Sequence, residues 1–441
     1  LQKQQAIVEQ AILRYESDGA VDNASYGKAG KGAAPQDRLV SMRQRLDVLS
    51  TQLASWRSAI DEIGGQRGCT VSRLYWHTDM ATARAAAERT GRPILSLRML
   101  GKLTDEYSCA NSRFFRTALY SNAKVSQFLR DNYVLHWQSV RPVPRVTIDF
   151  GDGRKLERTL TGNSAHYVLA ADGTPLDVLP GLYSPLAFLQ WLWDLRTFQI
   201  AYDAMPADQR PAELKGFHTR LHDELLLRWD FDIQQLGEQR TELVAARITS
   251  ALAGARLSGQ QVPADPAPKA VKAAARAEGK TRAEAPVLRF ANLGGTWMER
   301  GMDDELWQAV ADLHRDDVKL DEASVAVVRK EFPAAVAMRV AVSKAIQEDP
   351  VLRMVRTFED SMTLDTVRNE YLLHRQIHER FIDAAAETAN ADALNEWVYA
   401  SLFLTPSSDP WLGLARPDVY TALENDGRTE PEATVASRSG G

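Results

Sequence analysis

Two cysteines and two pairs of histidines are the residues whose type and spacing could carry chemistry. Cys109 opens Cys109-Ala110-Asn111-Ser112, which follows a short polar loop and stands at the head of a helical pattern. A sulfur at a helix start lies near backbone N–H groups that have no partner in the first turn, and near the positive end of the helix dipole. Both favour the thiolate, the form that attacks. Ser112 sits one turn on, so it offers such a thiolate a hydroxyl but no second sulfur. Asp105 and Glu106 oppose thiolate formation while Arg113 and Arg116 favour it, so local charge does not decide the state. Three readings of Cys109 stand open. It is a reactive thiol, a small buried residue at a helix start, or the partner of Cys69 in a disulfide whose loop would contribute roughly 3–4 kcal/mol.

His374 and His378 lie four residues apart with Glu370 one turn earlier, and His218 and His222 repeat the spacing beside Asp223 and Glu224. Metal sites use this spacing. The first pair, however, shares its face with Val367, Tyr371 and Phe381, and the second borders another apolar stripe. Neither pair has an evident third ligand. The expectation is hydrogen-bonded core histidines, with no metal and no cofactor. No Gly-x-Ser-x-Gly elbow, His-Glu-x-x-His helix or dinucleotide fingerprint is present. The run Gly27 to Gly32 lacks the Walker spacing and reads as a connector.

The elements that must position Cys109 are legible on both sides of it. Asp79 caps a helix through Ala81 to Thr90, which Gly91-Arg92-Pro93 ends. Ile94 to Leu100 is an apolar strand, and the cysteine-headed helix follows with Phe114, Phe115, Ala118 and Leu119. A second helical piece carries Val125, Phe128 and Leu129 before the strand Tyr133 to Trp137. Arg145 to Phe150 and Lys155 to Leu160 flank Gly151-Asp152-Gly153 as a hairpin, and His166 to Ala170 and Leu176 to Leu179 flank Asp172-Gly173 as another. A helix from Ser184 through Phe198 closes the unit.

Strand, cysteine-headed helix, strand, hairpin and closing helix resemble the thioredoxin-like superfamily, in a degenerate Cys-x-x-Ser form. The resemblance covers the central domain alone. It implies a catalytic role for Cys109 with Ser112 as its polar neighbour, able to form a mixed disulfide that an outside thiol must resolve. It also implies that Ser164 takes the place of the family's groove proline, because Gly162-Asn163-Ser164 aligns with Gly-x-Pro before the Asp-Gly hairpin. Ser164 and Ala165 would then line the substrate groove.

With 441 residues the chain has length for several units. The expected organisation is an N-terminal helical arm (1–66), a thioredoxin-like α/β domain (67–200), a long helix region (201–257), an Ala/Pro-rich linker (258–288) and an all-α C-terminal domain (289–441). The arm carries a stripe of Leu39, Met42, Leu46, Leu49, Leu53, Trp56 and Ile60, suited to a helical hairpin or a partner helix. A net charge of −5 without a basic stripe argues against nucleic acid, and no apolar run is long enough to span a membrane. The ten tryptophans read as packing anchors. The start at Leu1 fits removal of a leader and, with it, an extracytoplasmic location, and fits a truncated start equally well. The expected function is a monothiol thiol-disulfide role acting on a protein or thiol. The alternative is a non-catalytic scaffold whose helical arms bind a partner protein.

Overall fold

The computed structural model describes residues 35–159, 162–236, 304–322, 324–326 and 350–410, together with residues 7 and 10. Most of residues 1–34, the continuation of the long helix region beyond Leu236, the linker 258–288, and residues 327–349 and 411–441 of the expected C-terminal domain lie outside the described residues.

The fold is mixed α/β, built on a five-stranded mixed sheet in the order β1-β3-β2-β6-β7. The strands are β1 (Trp76–His77), β2 (Ile94–Leu100), β3 (Val134–Arg141), β6 (Ser164–Leu169) and β7 (Pro175–Pro180). β1 and β2 run parallel to β3, whereas β6 is antiparallel to both β2 and β7. All seven residues of β2 are buried. Ser96 and Arg98 interrupt its apolar run, yet both are buried, because a central strand covered on both faces has no solvent side. A separate two-stranded sheet, β4 (Arg145–Asp149) with β5 (Lys155–Thr159), forms the first expected hairpin.

Several helices begin at capping side chains. α1 (Pro35–Gly64) ends at the Gly64-Gly65 stop, where a Cβ on Gly64 would lie 2.2 Å from the Cys69 sulfur. A short turn, α2 (Cys69–Ser72), precedes β1. Asp79 accepts from the Thr82 N–H at 2.6 Å to start α3 (Met80–Thr90). α4 (Ala110–Phe114) widens at once into a π-helical turn, Phe115–Leu119. Asn122 caps α5 (Ala123–Asn132), and Ser184 with Pro185 starts α6 (Pro185–Ala204). α7 (Arg210–Gln235) follows.

The C-terminal part comprises α8 (Asp304–Leu313), α9 (Pro350–Arg368), a π-helical stretch Asn369–His374, α10 (Arg375–Asp383), α11 (Ala385–Thr388) and α12 (Ala391–Trp397) with a second π-helical stretch, Val398–Leu402. One hydrophobic cluster runs from Leu74 in the sheet region to Phe403, so these helices share the core of the sheet. No described helix is long and apolar enough to cross a membrane.

The sequence reading omitted β1, which is only two residues long, and ended β3 at Trp137, four residues before its observed end. Period-2 patterning needs more residues than β1 has. The outer half of β3 is half-exposed, which is why its polar residues hid it.

Candidate functional site

Cys109 is the N-cap of α4, one loop after β2, and its backbone N–H reaches back to Leu100 O at 3.4 Å. Its exposure is 0%. Cys69 is buried as well, and both cysteines are free, which removes the disulfide from the three readings. The Cys69 thiol donates to Leu74 O at 2.9 Å, and burial, followed by the nearby Asp61 charge, pushes its pKa up.

Ser112 directs its hydroxyl proton into its own turn. Its oxygen lies 2.6 Å from Ser108 Oγ and 2.8 Å from Cys109 O, so its one proton is used within the turn. The Arg116 guanidinium spans the same loop, donating to Asp105 O, Ser108 Oγ and Ser112 O at 3.0–3.3 Å. Burial, and then the neighbouring Arg67 charge, lowers the Arg116 pKa to about 10. Ser164 is placed opposite the motif, with Asn111 Nδ2 donating to Ser164 Oγ at 2.9 Å. Ala165, next along β6, is fully buried and pairs with Arg98 and Pro180.

Against the ends of these strands lies the chain's own C-terminal strap, residues 398–410. The Tyr399 hydroxyl is within reach of Asn163 O at 3.2 Å and Arg98 O at 3.4 Å. Asn163 Nδ2 donates to Thr405 Oγ1 at 3.3 Å, and the Tyr167 hydroxyl donates to Asn395 Oδ1 at 3.0 Å. Arg141 fixes the strap's far end through Thr405 O, Pro406 O and Asp409 O. Arg98, almost wholly buried, pairs with Asp392 at 2.6 Å across the junction. Tyr399, Leu402 and Phe403 bury their side chains beneath these contacts.

A second polar centre lies where β7 meets α7 and α10. Asp177 is fully buried in β7. One of its oxygens accepts from Trp191 Nε1 at 2.8 Å and His374 Nε2 at 3.0 Å, and the other accepts from the Val178 N–H at 2.7 Å. The other nitrogen of His374 donates to Glu370 at 3.1 Å, and Arg228 approaches Glu370 at 3.5 Å. Burial opposes a charge on His374, but the carboxylates of Asp177 and Glu370 outweigh it and hold the imidazolium pKa at about 10. His218 donates from Nε2 to Leu176 O at 2.9 Å, and its Nδ1 faces His378 Nδ1 at 2.9 Å. Burial lowers the pKa of His218 to about 4, and burial, then the charge of His374, holds that of His378 well below its ordinary value. Both rings are therefore neutral, next to one charged one.

A close approach holds this centre together. Gly181, at φ 91°, has no Cβ where one would sit 2.6 Å from Asn369 Nδ2, and that amide donates to Leu182 O at 2.8 Å.

His218, His374 and His378 are the core histidines that their apolar stripes predicted, while His222 stays at the margin with a side chain 19% exposed. Asp177 was missed altogether. The signal for it was a carboxylate inside the otherwise apolar run Leu176 to Leu179. No family model, curated protein or solved structure matches the chain.

Proposed function

We propose that the chain is a thioredoxin-like scaffold that works by binding a partner protein, and that Cys109 is a core residue rather than a nucleophile. Three features support the family likeness. These are the strand order β1-β3-β2-β6-β7 with its mixture of directions, a cysteine capping the helix after β2, and Ser164 one hydrogen bond from the Cys-x-x-Ser turn.

The observation that carries the binding reading is the complete burial of Cys109 beside an edge already covered by the strap around Tyr399. A mixed disulfide needs the attacking sulfur to reach its target in line, and a sulfur with no surface has no approach. The surface offered to a partner is on α1. Leu49 and Leu53 of its apolar stripe are buried, but the stripe continues through Trp56 and Ile60, which are 62% and 41% exposed. An apolar seam left half covered, with a tryptophan at its open end, suits a partner helix.

The test is alkylation of the full chain carrying Cys69→Ser. Cys109 is expected to resist iodoacetamide at about pH 8, near the ordinary thiol pKa, and to react once urea unfolds the chain. Ser112→Cys is expected to form no 109–112 disulfide under mild oxidation. Rapid labelling of the native protein would instead support the second reading, a monothiol that forms a mixed disulfide and waits for an outside thiol. The position of Cys109 at a helix start, beside Ser164, favours that reading.

A further inference from the structure

Asp177, His218 and His378 come from three different elements, β7, α7 and α10, and each is buried. One donor atom from each lies within 4.8 Å of the other two. We propose that these three side chains bind one divalent transition-metal ion, of which zinc is the representative, and that the ion clamps the sheet to the two helices. This goes beyond the binding role proposed above and does not depend on it.

The histidine half of the donor geometry is already prepared. His218 gives its Nε2 proton to Leu176 O, which leaves the Nδ1 lone pair directed at the cluster. A backbone carbonyl on the outer nitrogen is the usual way a ligating histidine is fixed in tautomer and orientation. The two Nδ1 atoms stand 2.9 Å apart. Two nitrogens on a tetrahedral zinc, each about 2.0–2.1 Å from the ion, are about 3.3 Å apart. A shift of a few tenths of an ångström between the two rings, with the His378 proton moved from Nδ1 to Nε2, opens both lone pairs to one ion.

Asp177 completes the set and is itself held by Trp191 and His374, with Glu370 behind His374. Carboxylate, histidine and Glu370 form the kind of outer layer that orients a metal ligand. Two imidazoles and one carboxylate suit zinc, iron or cobalt and not calcium, which requires six to eight oxygens. Three protein ligands leave the fourth tetrahedral position to a water, and burial of all three keeps that position away from substrate. Sequence spacing could not reveal the set, because each His-x-x-x-His pair gives up only one of its members to it.

The experiment uses the full chain, stripped with a chelator and titrated with Zn²⁺ and, separately, Co²⁺. The expected result is one equivalent of zinc, a higher melting temperature with zinc than without, and the intense visible bands of four-coordinate cobalt. In the double variant His218→Gln, His378→Gln, which keeps polar groups of similar size, affinity is expected to fall by about 100-fold or more. His222→Ala, at the margin, is expected to leave binding unchanged. The proposal is overturned if the stripped wild type takes up neither ion. It is equally overturned if the double variant binds as tightly as wild type, or if His222→Ala abolishes uptake, which would mark a surface site. Should the double variant not fold, the cobalt spectrum of the wild type decides, because weak, water-like bands exclude the site.

Discussion

At the scale of single residues, the chemistry legible in the sequence and the chemistry present in the fold parted company over burial. The position of Cys109 at a helix start followed from element order, and that of Ser164 opposite the turn from the thioredoxin-like resemblance. What the sulfur touches did not, because the residues covering that edge are up to 301 positions away in the chain. The histidines were read as hydrogen-bonded core residues, and His218, His374 and His378 are that. Asp177, the acceptor for His374, went unread because a lone carboxylate in a hairpin strand carries no motif. It is nevertheless the residue with most to lose. In the metal-free protein Asp177→Asn leaves Trp191 and His374 with a weaker or misdirected partner in a site without solvent. Breaking a buried pair from one side costs about 3–5 kcal/mol, and an amide that keeps one acceptor should bring this to about 2–3 kcal/mol. Glu370, whose side chain is 21% exposed, can recover water, so Glu370→Gln should cost about 1 kcal/mol. Urea unfolding of both variants checks the order, and equal losses would mean that Asp177 is not the keystone of the cluster.

Among the elements, local signals carried far. Asp79, Asn122 and Ser184 cap the helices they precede, and both Asp-Gly hairpins have their expected arms. What the sequence could not express was the docking of α12 and the strap. That docking rests on single polar side chains rather than on a repeating pattern. Arg141 is the clearest case, a guanidinium with three backbone acceptors at Thr405, Pro406 and Asp409. Truncating it frees those carbonyls but leaves the buried Tyr399, Leu402 and Phe403 in place. Arg141→Met should therefore raise amide exchange in the strap while leaving β2 protected, since local opening draws on local contacts. Tyr399→Phe should act more deeply, costing about 1–2 kcal/mol by taking a donor from the buried carbonyls of Asn163 and Arg98. Hydrogen exchange read by mass spectrometry separates the two effects. If Arg141→Met opens β2 together with the strap, the strap is part of the global unit and not a cover upon it.

Across the whole molecule, continuity of the core makes the buried histidines a common determinant of acid stability. His136, on β3, has Nδ1 2.8 Å from Ser96 Oγ, and burial, then the charges of Arg98 and His77, lowers its pKa to about 4 against a small opposing effect of Asp79. His166, on β6, sits 2.6 Å from the Tyr120 hydroxyl, packed between Phe115 and Phe188, and burial alone lowers it to about 3. In the unfolded chain both rings titrate near 6.5. Both folded values lie below the unfolded one, so the unfolded state binds more protons as the pH falls below 6.5. Their contribution is complete above that pH and is lost progressively towards pH 3–4. By pH 5 each ring should have removed about 2 kcal/mol, at about 1.4 kcal/mol per unit of pH. Urea unfolding at a series of pH values should show stability level near neutrality and falling steadily below pH 6.5. His136→Gln cannot take up the proton, and its neutral amide can still meet Ser96. The variant should thus be weaker at neutral pH but lose stability less steeply with acid, by close to one proton's worth of slope. A variant whose acid slope matches the wild type would show that His136 is already protonated in the folded sheet, and the neutral core assigned to β3 would have to be abandoned.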